Sequence, residues 1–328
     1  MRVLISGGTG FIGSRLALAC LRRGFEVTVL GQENSLAEAR NRQLTESKGA
    51  QFVSASVTDK DRVSQAVLGI DCVYHLAAAQ HEANVPDARF WEVNVEGTRN
   101  ILEASAVAGV KRFVHGSTIG VYGSLSGEID ENSPVNPDNI YGVTKLEGEK
   151  LAVSFRDRLP VVVIRISETY GPGDYRLLKL FKAIRKGAFF MLGRGTNKHH
   201  LIYIDDLIEG LFLAATVEEA AGKVFVLSGK APLTTAEMVE IIARDLGKKI
   251  PRFHVPISPV LALARITEAV LKPLGIQPPI HRRRLDFFRK SFVFSAREPA
   301  RVLSFAPSIS FERGVAETSK WYREMGYL

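Results

Sequence analysis

The sequence predicts an α/β protein with a doubly wound parallel sheet and a smaller, mainly helical C-terminal lobe. In the first half, apolar runs rich in β-branched residues alternate with segments of helical period, and this alternation ends at about Arg165. Buried parallel strands are apolar along their whole length, and helical crossovers connect them. The chain has 328 residues, more than a usual single domain. We therefore expect a sheet domain at 1–165 and a lobe at 166–328, with some later segments returning to the sheet.

Each predicted element follows from its period and its flanking turn residues. The predicted strands of the first part are Val3–Ser6, Glu26–Leu30, Gln51–Ser54, Cys72–His75, Arg112–His115 and Val161–Arg165. The helices predicted between them include Ile12–Arg23, Asp61–Val67, Arg89–Ala108 and Tyr141–Phe155. In the second part we predict helices Leu177–Lys186, Asp205–Val217, Thr235–Leu246, Pro259–Leu271 and Phe311–Glu324, and short strands near Lys223–Leu227 and Arg252–Val255.

Composition and charge exclude several classes of function. The formal net charge of +8 favours an anionic partner, but no basic-aromatic repeat or zinc-finger spacing accompanies it, which disfavours nucleic acid. Cys20 and Cys72 lie inside apolar runs, so we expect no disulfide framework and no metal site. No apolar stretch reaches the about 18 to 20 residues of a membrane-spanning helix. We expect a cytoplasmic protein that binds a small molecule and is not transmembrane.

A glycine-rich segment directly follows the first strand and opens a helix: Gly7-Gly8-Thr9-Gly10-Phe11-Ile12-Gly13. Glycines at this spacing allow a tight turn and a close approach to a pyrophosphate, while the helix N-terminus supplies N–H donors. The context predicts a Rossmann-type dinucleotide site at Gly7, Gly10, Phe11, Ile12 and Gly13.

The end of the second strand leaves the choice between NAD and NADP open. A carboxylate there would bond the adenosine ribose, but the position holds Gly31. Glu33 follows, and no basic residue appears before Arg40. Glu33 would oppose the extra phosphate of NADP, which slightly favours NAD; the alternative is a solvated loop carboxylate.

Tyr141 and Lys145 stand one helical turn apart on the same predicted helix face. A nearby cation favours the phenolate, so Lys145 would bring Tyr141 toward the range in which it exchanges a proton with a substrate hydroxyl. Ser117 and Thr118 follow the strand that is predicted to end at His115, which would place hydroxyl groups beside the cofactor.

With these residues in order, the chain resembles the extended short-chain dehydrogenase/reductase family, in its NAD-dependent epimerase/dehydratase group. The resemblance covers nearly the whole chain. Its further motifs are His75-Leu76-Ala77-Ala78, Asn94-Val95-Glu96-Gly97-Thr98, Tyr170-Gly171-Pro172-Gly173-Asp174 after Arg165, and Tyr203-Ile204-Asp205-Asp206. The resemblance implies that Leu76, Ala77 and Ala78 line the cofactor, that Asn94 braces the active-site helix, and that Thr118, Tyr141 and Lys145 form the catalytic triad. It also implies hydride transfer with Tyr141 as acid and base.

Departures from the family pattern bear on the substrate. Family members that dehydrate sugar nucleotides carry an Asp-Glu pair after the catalytic threonine, where this chain has Ile119-Gly120, so a dehydratase is disfavoured. His199 stands where sugar-nucleotide members resemble one another in having an arginine, and Ile166 replaces the usual proline. These changes resemble the 3β-hydroxysteroid dehydrogenase-like branch. The candidate substrate residues are Gln80, His81, Glu168, Lys198, His199, Arg283 and Arg284, with Tyr175 as a further cleft candidate.

Three functions stay open at this point. The first is a 4-epimerase or ketoreductase of a nucleotide-activated sugar, which the basic balance and the family resemblance favour. The second is a dehydrogenase or reductase of a steroid-like or lipid-like compound, which His199 and the amphipathic C-terminal part favour. The third is a non-catalytic dinucleotide sensor, which usually has a degraded triad. A homodimer and a peripheral membrane contact are also left open.

Overall fold

A seven-stranded parallel sheet forms the centre of the molecule. The computed structural model describes residues 1–80, 85–250, 254–271 and 285–328. The strands are β1 Arg2–Ser6, β2 Glu26–Gly31, β3 Gln51–Ser54, β4 Cys72–His75, β5 Arg112–Thr118, β6 Val161–Ile166, β7 Thr169–Tyr170, β8 Met191–Leu192, β9 Lys198–His199, β10 Ile202–Tyr203, β11 Val224–Leu227, β12 Leu233–Thr234 and β13 His254–Val255. The large sheet has the order β11-β6-β5-β4-β1-β2-β3, and the other strands form two-stranded pairs.

Helices cover both faces of this sheet. They are α1 Phe11–Arg22, α2 Leu36–Glu46, α3 Lys60–Ala66, α4 Asp87–Trp91, α5 Gly97–Val107, α6 Ile140–Ser154, α7 Leu178–Arg185, α8 Ile204–Thr216, α9 Thr235–Asp245, α10 Ile257–Leu271, α11 Arg297–Leu303 and α12 Phe311–Glu324. A π-helical segment, Glu92–Glu96, joins α4 to α5. Short 3-10 turns lie at Ile119–Tyr122, Glu218–Ala220 and Asp286–Phe288.

The two faces of each central strand contribute to different apolar cores. On β1, Val3 and Ile5 pack into one core, while Leu4 packs into the other. On β6, Val162 and Val163 divide in the same way. Period-2 alternation sends neighbouring side chains to opposite faces, so a strand with helices on both sides must be apolar throughout. This explains why the strands could be recognised as continuous apolar runs.

The predicted doubly wound sheet is confirmed, and the differences are local. Strand β5 continues to Thr118 and is three residues longer than predicted. The long helix predicted over 89–108 is α4, the π-helical segment and α5 in succession. Helix α2 is not among the predicted helices, because only Thr45 of this helix is buried and it shows little apolar period. Its N-terminal signal was present, since the Ser35 side chain accepts a hydrogen bond from the Glu38 N–H.

Among the described residues, the later part of the chain adds one strand to the sheet. Strand β11 pairs in parallel with β6 and extends the sheet beyond the six strands predicted from residues 1–165. The carboxyl ends of β1, β4, β5 and β6 open on the same edge, because parallel strands run in one direction. That edge carries the candidate site. The division at residue 165 stays a prediction.

Candidate functional site

A cleft of about 1580 Å³ runs along the carboxyl edge of the sheet. Its walls come from the residues that follow the central strands, from the start of α6, and from the segment 286–292. A crevice at this edge is where open α/β sheets bind their ligands. The cleft brings together residues that lie more than 250 positions apart in the chain, from Gly7 to Phe292.

The glycine turn forms one end of the cleft and has room for glycine only. Gly7 has a φ of 71°, which L side chains rarely adopt. A Cβ added at Gly13 would lie 2.3 Å from the Gly7 carbonyl oxygen, closer than real Cβ atoms come. The N-cap of α1 is Gly10, which has no side chain to occupy the first N–H groups, and the first turn of α1 carries no carboxylate. These features fit the pyrophosphate of a dinucleotide.

Asn94 links the loop after β4 to helix α6. Its Oδ1 accepts a hydrogen bond from the Ala79 N–H at 2.7 Å, and its Nδ2 donates to the Ala79 carbonyl at 3.2 Å and to Thr144 Oγ1 at 3.0 Å. The side chain is fully buried, and it lies in the π-helical segment. A π-turn inserts one extra residue into a helix and often marks a functional site. Here it places Asn94 between two walls of the cleft.

Helix α6 brings Tyr141 and Lys145 to the cleft beside Thr118. The helix begins after Asn139, whose side chain accepts a hydrogen bond from the Gly142 N–H at 3.0 Å. Tyr141, Lys145 and Thr118 all line the cleft. Lys145 Nζ donates to the Gly116 carbonyl at 2.6 Å, and burial lowers the pKa of Lys145 to about 8. The ammonium group is thus held close to the phenol-bearing turn.

Thr118 is fixed as the last residue of β5. Its Oγ1 accepts a hydrogen bond from the Gly120 N–H at 3.1 Å, which begins the 3-10 turn that follows. Gly120 in turn lies against α6, since a Cβ at Gly120 would be 4.0 Å from Tyr141 Cδ1. The end of β5 and the first turn of α6 are therefore neighbours in the wall of the cleft.

Glu168 and His199 form a pair on the substrate side. His199 Nδ1 lies 2.9 Å from Glu168 Oε2, and His199 Nε2 lies 3.0 Å from the Phe287 carbonyl. Burial lowers the pKa of His199, but the charge of Glu168 and these hydrogen bonds outweigh it, so the net pKa is raised. Burial likewise raises the pKa of Glu168, but His199 and then Arg176 bring it below its usual value. Both shifts favour the charged forms of the pair, and His199 ties the sheet edge to segment 286–292.

The remaining predicted substrate residues occupy different places. Gln80 and Tyr175 line the cleft. Lys198 is exposed on β9 and is not among the lining residues, so the structure does not bring it to the cleft. His81, Arg283 and Arg284 lie outside the described residues.

At the far end of the cleft, Glu33 does not take the place expected of it. Its carboxylate forms an ion pair with Arg42, and Arg42 also binds Glu46 at 2.8 Å. The lining residues at this end include Asn34 and Glu38 instead. Glu38 is not among the predicted site residues. Its carboxylate accepts a hydrogen bond from the Asn34 N–H at the start of α2, and this capping contact, not its distance from β2 in the sequence, determines where the side chain points.

Two cations and two aromatic rings of the cleft were also missed. Arg176 donates to Asp174 at 3.0 Å and contacts the Thr169 carbonyl. Lys290 binds Asp138, and the rings of Phe287 and Phe292 lie on the same wall. The signal for Arg176 was its position just after the glycine-proline turn. Nothing in the sequence distinguished Lys290 from its basic neighbours.

The described residues offer neither a membrane-spanning helix nor a cluster of metal-ligating side chains. Within 1–80, 85–250, 254–271 and 285–328, no helix is long and apolar enough to cross a membrane. The same ranges contain no group of three or more His, Cys, Asp or Glu side chains that could hold a metal ion.

Comparison with known proteins decides the family. The model of the NAD dependent epimerase/dehydratase family matches residues 3–228. The chain belongs to this family. The resemblance inferred from the ordered motifs is therefore confirmed, and with it the class of enzyme. The relatives of this chain also include two 3beta-hydroxysteroid-dehydrogenase/decarboxylase isoforms of Arabidopsis thaliana. They agree with the resemblance to the 3β-hydroxysteroid dehydrogenase-like branch.

Individual members of the epimerase/dehydratase family show the range of similarity. This chain is 31% identical over 99% of its length to the dTDP-glucose 4,6-dehydratase of Streptomyces niveus, 93% of which is covered. It is 30% identical over 77% of its length to an N-acetyl-alpha-D-glucosaminyl-diphospho-ditrans,octacis-undecaprenol 4-epimerase of Escherichia coli O157:H7, with 75% covered. The UDP-glucuronic acid 4-epimerase of Bacillus cereus in complex with NAD superposes with a TM-score of 0.81 over 99% of both chains, at 25% identity. Because a dehydratase is among these relatives, the exclusion of dehydration is not confirmed and stays a prediction.

Proposed function

We propose that this chain uses a nicotinamide cofactor to oxidise or reduce a secondary alcohol or ketone, as a 4-epimerase or ketoreductase of a nucleotide-activated sugar. The observation that carries the proposal is the convergence of Thr118, Tyr141 and Lys145 on the cleft that begins at the glycine turn. The sugar-nucleotide relatives support the substrate class.

Each group of cleft residues has its own role in the proposed reaction. Gly7 to Gly13 would hold the pyrophosphate, and Leu76 to Ala78 would lie against the dinucleotide. The nicotinamide, when bound, supplies the hydride acceptor or donor. Tyr141 takes the proton from the substrate hydroxyl during oxidation and returns it during reduction, while Thr118 donates a hydrogen bond to the same oxygen. Lys145 binds the ribose and, as a cation, stabilises the Tyr141 phenolate.

We infer that the cofactor is NAD. A 2′-phosphate needs a cation near the adenosine ribose, and the lining residues at that end include the amide of Asn34 and the carboxylate of Glu38. The guanidinium of Arg42, on helix α2, is already shared by Glu33 and Glu46. Glu38 would repel a phosphate by like charge. The NAD held by the Bacillus cereus relative supports the same choice.

Thermal shift measurements test the function directly. NAD should stabilise the chain, and UDP or dTDP should stabilise the NAD-loaded chain further, since a ligand that binds only the native state raises its stability. Tyr141→Phe should keep both shifts but lose turnover of UDP-glucose or UDP-glucuronic acid, because it removes only the transferable proton. A Tyr141→Phe variant that turns over like the parent would refute the assignment. Failure of every nucleoside diphosphate at millimolar concentration would refute the sugar nucleotide.

A hydrophobic substrate is the second candidate, and helix α10 favours it. Leu263, Ile266 and Val270 share one face of α10 and are 48%, 61% and 57% exposed, while Ala264 on the opposite face is fully buried. An apolar helix face in water is typical of contact with a membrane or a lipid. The undecaprenol-linked sugar of the Escherichia coli relative combines a sugar with such a lipid. Turnover of a polyprenyl-diphosphate sugar or a steroid ketone, without protection by free UDP, would decide for this candidate.

The same observations support a proposal for the location and partners of the protein. We place the chain in the cytoplasm as an enzyme of small molecules, with peripheral membrane contact if the second candidate is correct. A homodimer remains a proposal that sedimentation would test.

A further inference from the structure

A buried group of charged and polar side chains lies beneath the active-site face of α6. Arg165 on β6 donates through Nη2 to Glu149 Oε1 at 2.6 Å, and through Nε to both oxygens of Glu149 at 3.1 and 3.2 Å. Ser117 Oγ donates to Glu149 Oε2 at 2.6 Å. The side chains of Arg165 and Glu149 are only 7% and 5% exposed. The carboxylate is therefore held by two neighbouring strands at once.

This carboxylate belongs to the same helix face as the proposed acid and base. Tyr141, Lys145 and Glu149 are spaced at i, i+4 and i+8, which places them in one row along α6. Lys145 Nζ contacts the carbonyl of Gly116, and Glu149 contacts the side chain of Ser117, the next residue of β5. The ammonium and the carboxylate therefore contact consecutive residues of β5 without a direct ion pair, and Glu149 acts on Lys145 through its charge.

The charges of this cluster do not cancel. Lys145 and Arg165 are both buried cations, and Glu149 is the carboxylate between them. Burial penalises the Lys145 cation and lowers its pKa to about 8, while the charge of Glu149 acts in the opposite direction. A buried ammonium without a nearby anion tends to lose its proton. How much Glu149 supports Lys145 depends on how strongly Arg165 draws on the same carboxylate.

The other ionisable groups packed here do not replace Glu149. Burial, and then the Lys145 charge, lower the pKa of His75 to about 3 and that of His115 well below its usual value, so both imidazoles are neutral. Burial raises the pKa of Tyr122 to about 12, so its hydroxyl is neutral too. Glu131 turns its carboxylate to the backbone of β11, where it accepts a hydrogen bond at 2.8 Å.

We propose that Glu149 is a positioning residue of this active site: its carboxylate is the counter-charge that keeps the Lys145 ammonium protonated against the Gly116 carbonyl, and Arg165 moderates that effect by sharing the carboxylate. A protonated Lys145 favours the phenolate of Tyr141 from its own helix face. This last consequence rests on the proposed function, whereas the charge coupling itself does not.

Titration of Lys145 in the full-length chain tests the coupling without a substrate. Lysine labelled with ¹³C at Cε is followed by NMR against pH, and the Lys145 signal is assigned by its loss in Lys145→Arg. We expect a midpoint of about 8 in the parent chain. Glu149→Gln should lower the midpoint by about one pH unit or more, and Arg165→Met should raise it, because the carboxylate then acts on Lys145 alone. Glu149→Asp keeps the charge and should titrate like the parent.

The opposite shifts of the Lys145 midpoint in the two variants distinguish a positioning role of Glu149 from structural support alone. Both substitutions break the same ion pair, so a structural role alone would move the midpoint in the same direction in both. Glu149→Gln leaves Arg165 buried without a partner. If that variant does not fold, the double variant Glu149→Gln/Arg165→Met is compared with the single variant Arg165→Met, because neither contains an orphan guanidinium. There the midpoint should fall by about one pH unit. A midpoint that does not fall in that comparison, or that shifts the same way in both single variants, overturns the proposal. Failure of NAD to bind would instead refute the proposed function and leave this titration unchanged.

Discussion

Replacement of Asn94 by alanine tests how strongly the cleft depends on one buried amide. Asn94→Ala removes three hydrogen bonds, two to the backbone of Ala79 and one to Thr144 Oγ1. Each such bond contributes about 1 kcal/mol net, and a buried N–H left without a partner costs about 1–3 kcal/mol. We therefore expect the free energy of unfolding to fall by about 3 kcal/mol. Because typical proteins are stable by about 5–15 kcal/mol, the variant should still fold.

Urea denaturation followed by circular dichroism measures this change, and a matched control lies on the same helix. Asn100 is half-buried, and it donates one side-chain hydrogen bond, to the Val57 carbonyl at 3.1 Å. Asn100→Ala should cost about 1 kcal/mol. Equal losses in the two variants would show that the Asn94 amide does not brace α6 in the way that its three contacts indicate.

Two further predictions concern the ends of the cleft. Gly13→Ala should weaken NAD binding about tenfold or more, because its Cβ would lie 2.3 Å from the Gly7 carbonyl oxygen; an affinity equal to that of the parent by calorimetry would contradict this. The raised pKa of His199 means that its pair with Glu168 stabilises the fold below the unfolded pKa of about 6.5, and that this contribution is lost as pH rises through the folded pKa. The parent should therefore exceed His199→Asn in stability by more at about pH 6 than at about pH 9, and a constant difference in urea unfolding would refute the ion pair.

The parallel sheet could be predicted almost residue by residue from the sequence. Strands such as β4 and β6 are buried on both faces, so nearly every position is apolar, with His75 and Arg165 as the polar exceptions. Helix α2 escaped prediction because it lies on the surface and the core imposes no pattern on it. The extension of β5 to Thr118 also escaped it, since pairing with β6, and not local composition, continues the strand there.

For the candidate site, local spacing was sufficient wherever one element carries the chemistry. The turn from Gly7 to Gly13 and the row from Tyr141 to Lys145 each depend on contacts within a single strand-turn-helix or helix, so the sequence indicates them directly. The ordered motifs extended this to the family. Local spacing could not indicate that Arg42 would hold Glu33 away from the cleft, because that ion pair is made between a loop and the next helix.

The sequence by itself thus determined the fold class, the glycine turn and the membership of the epimerase/dehydratase family, because these follow from periodicity and from residues close together in the chain. Only the tertiary structure decided the environment of the charged groups. It pairs His199 with Glu168 across 31 positions and leaves Lys198 outside the cleft. It also pairs Arg165 with Glu149, which stands in the same helix row as Lys145. Burial and the distance to an opposite charge set the charge state of such groups, and both are properties of the packed molecule, not of neighbouring residues in sequence.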